Sequence, residues 1–173
     1  MSAFANDIRH MHHALALAGR GLGQVAPNPA VGCIIVKDGK IVGRGWTQKG
    51  GRPHAETEAL ARAGDAARGA TAYVTLEPCS HHGKTPPCAD ALVNAGVARV
   101  VGALTDPDPR VSGRGFARLR EAGIDVVEGV CEAEARALNL GFILRVTRNR
   151  PLVALKIAQS ANGRIADASG KTR

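Results

Sequence analysis

Apolar residues recur at helical spacing over 3–20, where Ile8, Met11, Leu15 and Ala18 share a face, and Gly19, Gly21 and Gly23 end the run ahead of Pro27 and Pro29. The period then shortens. Residues 31–36 and 40–46 flank Asp38-Gly39, a dipeptide suited to the positive backbone angles of a tight turn, and read as an antiparallel hairpin. A helix follows over 55–63, rich in Ala, Leu and Glu, with Pro53 ahead of it and Gly64 as its stop. His54 and Glu56 therefore sit at a helix start. Strand and helix then alternate: strand 71–76, helix 86–95 closed by Gly96, strand 99–104, helix 114–122 closed by Gly123, strand 124–128, and a last helix over 132–146. Alternation with crossover helices of about ten residues implies a mixed, mostly parallel sheet covered on both faces, a three-layer α/β/α sandwich.

After Arg148-Asn149-Arg150-Pro151 the pattern changes, with 152–157 reading as a fresh strand and 160–173 polar and rich in small residues. The expected division is a domain over 1–147, then a linker and stub over 148–173. A chain of 173 residues with 45% hydrophobic content can bury one substantial core. No apolar segment resembles a signal peptide or a membrane span, so a soluble cytoplasmic protein is expected.

The formal charge of +8 raises the possibility of a polyanionic partner. Against nucleic acid, aromatic residues make up only 3% of the chain and the arginines are dispersed, so a small phosphorylated substrate is the better reading. Of four cysteines, Cys33 and Cys131 read as ordinary buried thiols, while Cys79 and Cys88 fall among residues that carry chemistry.

Those residues form two segments: Pro53-His54-Ala55-Glu56 at one helix start, and Leu76-Glu77-Pro78-Cys79 followed by Cys88 at another. One imidazole and two thiolates leave tetrahedral zinc an open position for water, as catalytic zinc sites require. Zinc lowers the pKa of its water to roughly 7, and the resulting hydroxide needs a carboxylate to collect the released proton. Glu56 is that carboxylate, and His54, Cys79 and Cys88 are the ligands. The arrangement matches the zinc deaminase signature, His-x-Glu with a later Pro-Cys-x-x-Cys, except that eight residues rather than two separate the cysteines. A structural zinc would recruit a fourth protein ligand, for which His81 or His82 is the nearby choice. Taken singly, His54 would be a surface residue and each Cys a core thiol; the combination argues for catalysis.

The sequence resembles the bifunctional deaminase-reductase family of riboflavin biosynthesis over almost its whole length. The resemblance rests on Pro27-Asn28-Pro29-Ala30-Val31-Gly32, on His54-Ala55-Glu56, on the run from Thr75 through Cys79-Ser80-His81-His82-Gly83-Lys84-Thr85-Pro86-Pro87-Cys88, and on Asp106-Pro107-Asp108-Pro109 leading to Gly113-Arg114-Gly115. It implies a cytidine-deaminase-like fold and hydrolytic deamination of 2,5-diamino-6-(5-phospho-ribosylamino)pyrimidin-4-one, with Asn28, His81 and Lys84 as substrate contacts. Family members often carry His at Thr47 and Asn at Asp108, so both positions bear on substrate contacts. The tail resembles the start of the family's dihydrofolate-reductase-like domain, in which Ala158 and Thr172 would contact NADP(H) and substrate. About twenty residues of it cannot form a nicotinamide site, so no reductase activity is expected from these residues alone. The fold commonly self-associates, and a homo-oligomer is expected.

Two rival readings are weighed. A transfer-RNA adenosine deaminase shares His-Ala-Glu but keeps two residues between its cysteines; a non-enzymatic zinc module has no use for Glu56. Gly19, Gly21 and Gly23 lack the flanking strand and helix of a phosphate loop. His10, His12 and His13 read as surface residues with no carboxylate or thiol nearby to complete a metal set.

Overall fold

The computed structural model describes residues 3–81, 86–109 and 111–171. Helix α1 (Ala3–Ala18) leads to the hairpin of β1 (Gly32–Lys37) and β2 (Lys40–Trp46), and then to α2 (Ala55–Ala63) and β3 (Thr71–Val74). There follow α3 (Cys88–Asn94), β4 (Arg99–Gly102), α4 (Arg114–Glu121), β5 (Asp125–Val127), α5 (Glu132–Leu138) and α6 (Leu140–Arg148). The expected turn is present, with Asp38 at φ 49° and Gly39 at φ 73°.

The five strands form one sheet in the order β2-β1-β3-β4-β5. Strand β1 runs antiparallel to β2 and β3, and β3-β4 and β4-β5 are parallel, so every strand but β1 points the same way. Alternation along β1 and β2 assigns the helices to faces. Gly32 pairs with Trp46 and Gly45 with Cys33, so Gly32 and Gly45 lie on opposite faces. Helix α1 covers the Gly32 face and α2 the Gly43 and Gly45 face, which makes the three layers. Glycine at 43 and 45 is a requirement of that approach, because a Cβ there would overlap the carbonyls of Ala59 and Ala55. The sheet thereby holds the start of α2 against the end of β2. Met11, Ile34, Val74, Val100, Phe116 and Leu119 are fully buried between the layers.

The structure departs from expectation at four places. The last helix is two, because Asn139 leaves helical geometry (φ −102°, ψ 18°). Its side chain reaches back to the strand entrance, accepting from the Ala30 N–H and donating to the Ala30 carbonyl, both at 2.9 Å. Residues 152–157 form no strand: Val153 and Leu155 are about four-fifths exposed and no sheet edge pairs with them among the described residues. A lone strand has nothing to satisfy its ladder. His10 is not a surface residue but 5% exposed, its ring 5.0 Å from that of Tyr73. Beside it the Asp7 carboxylate accepts from both terminal nitrogens of Arg99, at 2.8 and 2.9 Å, and from the Tyr73 hydroxyl at 2.8 Å. None of the four cysteines is disulfide-bonded; Cys33 is buried as expected, while Cys131 is only half-buried.

Candidate active site

Three helix and strand ends meet at one place. His54 precedes the first residue of α2, Glu56 lies in its first turn, Cys79 follows β3, and Cys88 opens α3. The expected ligands converge: His54 Nδ1 is 3.7 Å from Cys79 Sγ and 3.3 Å from Cys88 Sγ. The Cys88 amide donates to Cys79 Sγ at 3.3 Å, which favours the sulfur as an anion. Cys79 is held down to about 4, chiefly by the hydrogen bond from the Cys88 thiol and then by His54. Cys88 is pushed up by that same shared hydrogen bond and by burial. His54 is raised, first by its hydrogen bond with Cys79. An imidazole and two sulfurs competing for protons in this space make a donor set that fits a tetrahedral zinc ion, whose charge takes the place of those protons.

Glu56, 3% exposed, lies beside this cluster, and burial, then the Cys79 thiolate, raises its carboxyl to about 7. A carboxyl poised there is suited to take up and return a proton near neutral pH. His54 and Glu56 line one side of a cavity of about 250 Å³, whose other walls include Asn28, Thr47, His81, Asp106, Asp108, Phe142 and Arg145. Asn28 Nδ2 donates to the Gly51 carbonyl at 2.8 Å, leaving its side-chain oxygen toward other partners. His81 is exposed at the rim. Thr47, where a family histidine was noted, turns its hydroxyl to the Val31 backbone, accepting the N–H at 3.0 Å. Lys84 and Thr172 lie outside the described residues. Ala158 sits in the exposed tail, away from the cavity walls.

The sequence did not mark what holds the wall that includes Asp106. Glu77 is 3% exposed and accepts three backbone N–H bonds: Asp106 at 3.0 Å and Gly113 at 2.8 Å on one oxygen, Gly115 at 2.7 Å on the other. It ties the backbone at Asp106, Gly113 and Gly115 to a point two residues from Cys79. Asp106, buried beside Glu77 and Asp108, is pushed up to about 6, first by burial. The Glu77 signal was present as a carboxylate between a strand and Pro78, but its partners are 29 to 38 residues away. Phe142 and Arg145 were also missed; the Arg145 guanidinium lies 5.5 Å from the Phe142 ring centre and donates to the Pro27 carbonyl at 2.7 Å.

A three-layer fold with a His-Cys-Cys cluster and a buried glutamate at helix ends defines the zinc-binding deaminase class. The chain belongs to the family of the cytidine and deoxycytidylate deaminase zinc-binding region, whose model matches residues 5–104. Within that class it is similar to the riboflavin biosynthesis protein RibD of Escherichia coli, 57% identical over 167 residues, covering 96% of this chain and 46% of that protein. It is also similar to the solved structure of Acinetobacter baumannii RibD, form 2, at 52% identity and TM-score 0.89, covering 99% of this chain and 48% of that one. A diaminohydroxyphosphoribosylaminopyrimidine deaminase/5-amino-6-(5-phosphoribosylamino)uracil reductase from Thermotoga maritima matches at 46% identity and TM-score 0.93, covering 99% of this chain and 50% of that one. The chain thus spans about half the length of these relatives. Among the described residues, no helix is long and apolar enough to cross a membrane.

Proposed function

We propose that this chain deaminates 2,5-diamino-6-(5-phospho-ribosylamino)pyrimidin-4-one, replacing one ring amino group by oxygen from water and releasing ammonia. The observation that carries the reading is the convergence of His54, Cys79 and Cys88 beside buried Glu56 in a cavity the size of a small ring compound. His54, Cys79 and Cys88 would hold zinc, which when bound supplies Lewis acidity that activates water near neutral pH. Glu56 takes the proton from that water and delivers it to the ring nitrogen beside the amino-bearing carbon. It then moves the second proton to the departing amine. Asn28 and His81, on the cavity wall and rim, orient the ring; Lys84 is assigned to the phosphorylated end by resemblance alone.

The similarity to RibD supports this substrate over transfer RNA, and so does the eight-residue separation of Cys79 and Cys88. Residues 1–147 form the deaminating unit, and 148–173 correspond to the approach to a reductase half that would use NADPH and Ala158. Cytoplasmic location and self-association belong to the same reading. The test is ammonia release by the zinc-loaded chain, offered the diamino phosphate or transfer RNA in separate reactions. Release from the diamino phosphate is expected; release from RNA alone contradicts the proposal.

A further inference from the structure

A second set of metal-ligating side chains converges on the outside of the molecule. His12 on the outer face of α1, Cys131 immediately before α5 and Glu134 in the first turn of α5 bring a ring nitrogen, a sulfur and a carboxylate oxygen within 4.8 Å of one another. The two segments are separated by most of the chain, so their meeting is a product of the fold. Cys131 adopts φ 59°, a left-handed conformation uncommon for a residue with a side chain, and follows Gly129 at φ 83°. That double turn puts the thiol at the head of α5, near Glu134 and across from His12.

An ion pair does not account for the cluster. His12 Nε2 and Glu134 Oε1 are 3.7 Å apart and each side chain is more than half exposed, an arrangement worth little in water. The donors suit something placed between them. Tetrahedral zinc with bonds of about 2.0–2.3 Å needs its ligand atoms roughly 3.3–3.8 Å apart, a contraction that the exposed His12 and Glu134 side chains reach by small rotations toward half-buried Cys131. A nitrogen, a sulfur and one carboxylate oxygen select zinc-like cations over calcium or magnesium, which want all-oxygen shells.

We propose that His12, Cys131 and Glu134 form a second site for a zinc-like divalent cation, separate from the His54-Cys79-Cys88 cluster, that clasps α1 to α5. Binding exchanges the thiol proton for the metal: the S–H bond breaks, a sulfur–metal bond forms, and the proton leaves to solvent. Solvent fills the remaining position. With one thiolate and an exposed shell, this site is the weaker of the two.

The test uses the full chain stripped of metal and dialysed against increasing zinc, with bound metal counted by elemental analysis and melting temperature recorded alongside. Wild type is expected to bind two equivalents and to gain melting temperature with the second. His12→Ala, at an exposed position that leaves the core intact, and Cys131→Ser are each expected to bind one equivalent, lose that gain and keep full ammonia release. A single equivalent in wild type under zinc excess overturns the proposal, as does a second equivalent that persists in His12→Ala. Neither result touches the deaminase reading, which rests on the other cluster.

Discussion

The cavity has two buried glutamates of equal exposure and opposite surroundings. Glu77 receives three backbone N–H bonds, from Asp106, Gly113 and Gly115, while Glu56 lies among the sulfurs and imidazole of the cluster and is raised to about 7. A carboxylate whose oxygens are taken up by backbone N–H donors ties down chain; one buried among groups that compete for protons is placed to exchange its own. The same side chain thus holds backbone at one position and, in the proposed reaction, moves protons at the other.

Exchanging each carboxylate for its amide separates the two roles. Glu56→Gln should cut ammonia release by about a hundredfold to ten-thousandfold, the usual size of a lost acid-base group, with zinc content and melting temperature near wild type. Full turnover with zinc bound would show that Glu56 moves no proton. Glu77→Ala strands two buried N–H groups and a half-buried one and should cost about 3–5 kcal/mol by denaturant unfolding, with Glu77→Gln in between because it keeps one oxygen. If Glu77→Ala is as stable as wild type, the loop is held by something else.

A third buried carboxylate, Asp7, extends the contrast because its partner is a cation. Arg99 foremost, together with the Tyr73 hydroxyl, holds Asp7 below the ordinary carboxylate value. The sign follows: a lowered folded pKa gives stability that is present above the ordinary carboxylate range and lost as pH falls through the lowered value. Asp7→Asn should therefore cost about 1–3 kcal/mol at neutral pH, and the gap to wild type should close in acid. An unchanged gap across that range would remove the charge from the explanation. The smallest effect belongs to the tail, where substituting exposed Ala158 should leave ammonia release within about twofold.

What was legible in the sequence is what short spacings encode. His54-Ala55-Glu56 at a helix start, Asp38-Gly39 between two strands, and Gly64, Gly96 and Gly123 after helices all act over a few residues, and the structure has them where the pattern placed them. The meeting of His54, Cys79 and Cys88 was readable because a His-x-Glu segment and two cysteines at strand and helix ends form a chemical pattern as well as a structural one. Partnerships formed across the fold were not readable. Glu77 finds Asp106, Gly113 and Gly115, Asn139 breaks a helix to hold Ala30, and His12 meets Cys131 and Glu134, yet no local periodicity marks any of these residues. The strand expected at 152–157 fails for the complementary reason. Its pattern is right, but a strand exists only against a neighbour, and none is present among the described residues.

In the proposed reaction His54, Cys79 and Cys88 hold one zinc ion while Glu56 stands beside it without binding. Crystals of the zinc-loaded chain measured on either side of the zinc absorption edge test this directly. An anomalous peak is expected within bonding distance of His54 Nδ1 and both sulfurs, with the Glu56 carboxylate outside that distance. A map with no peak at those three atoms, or with Glu56 as a ligand, would contradict it.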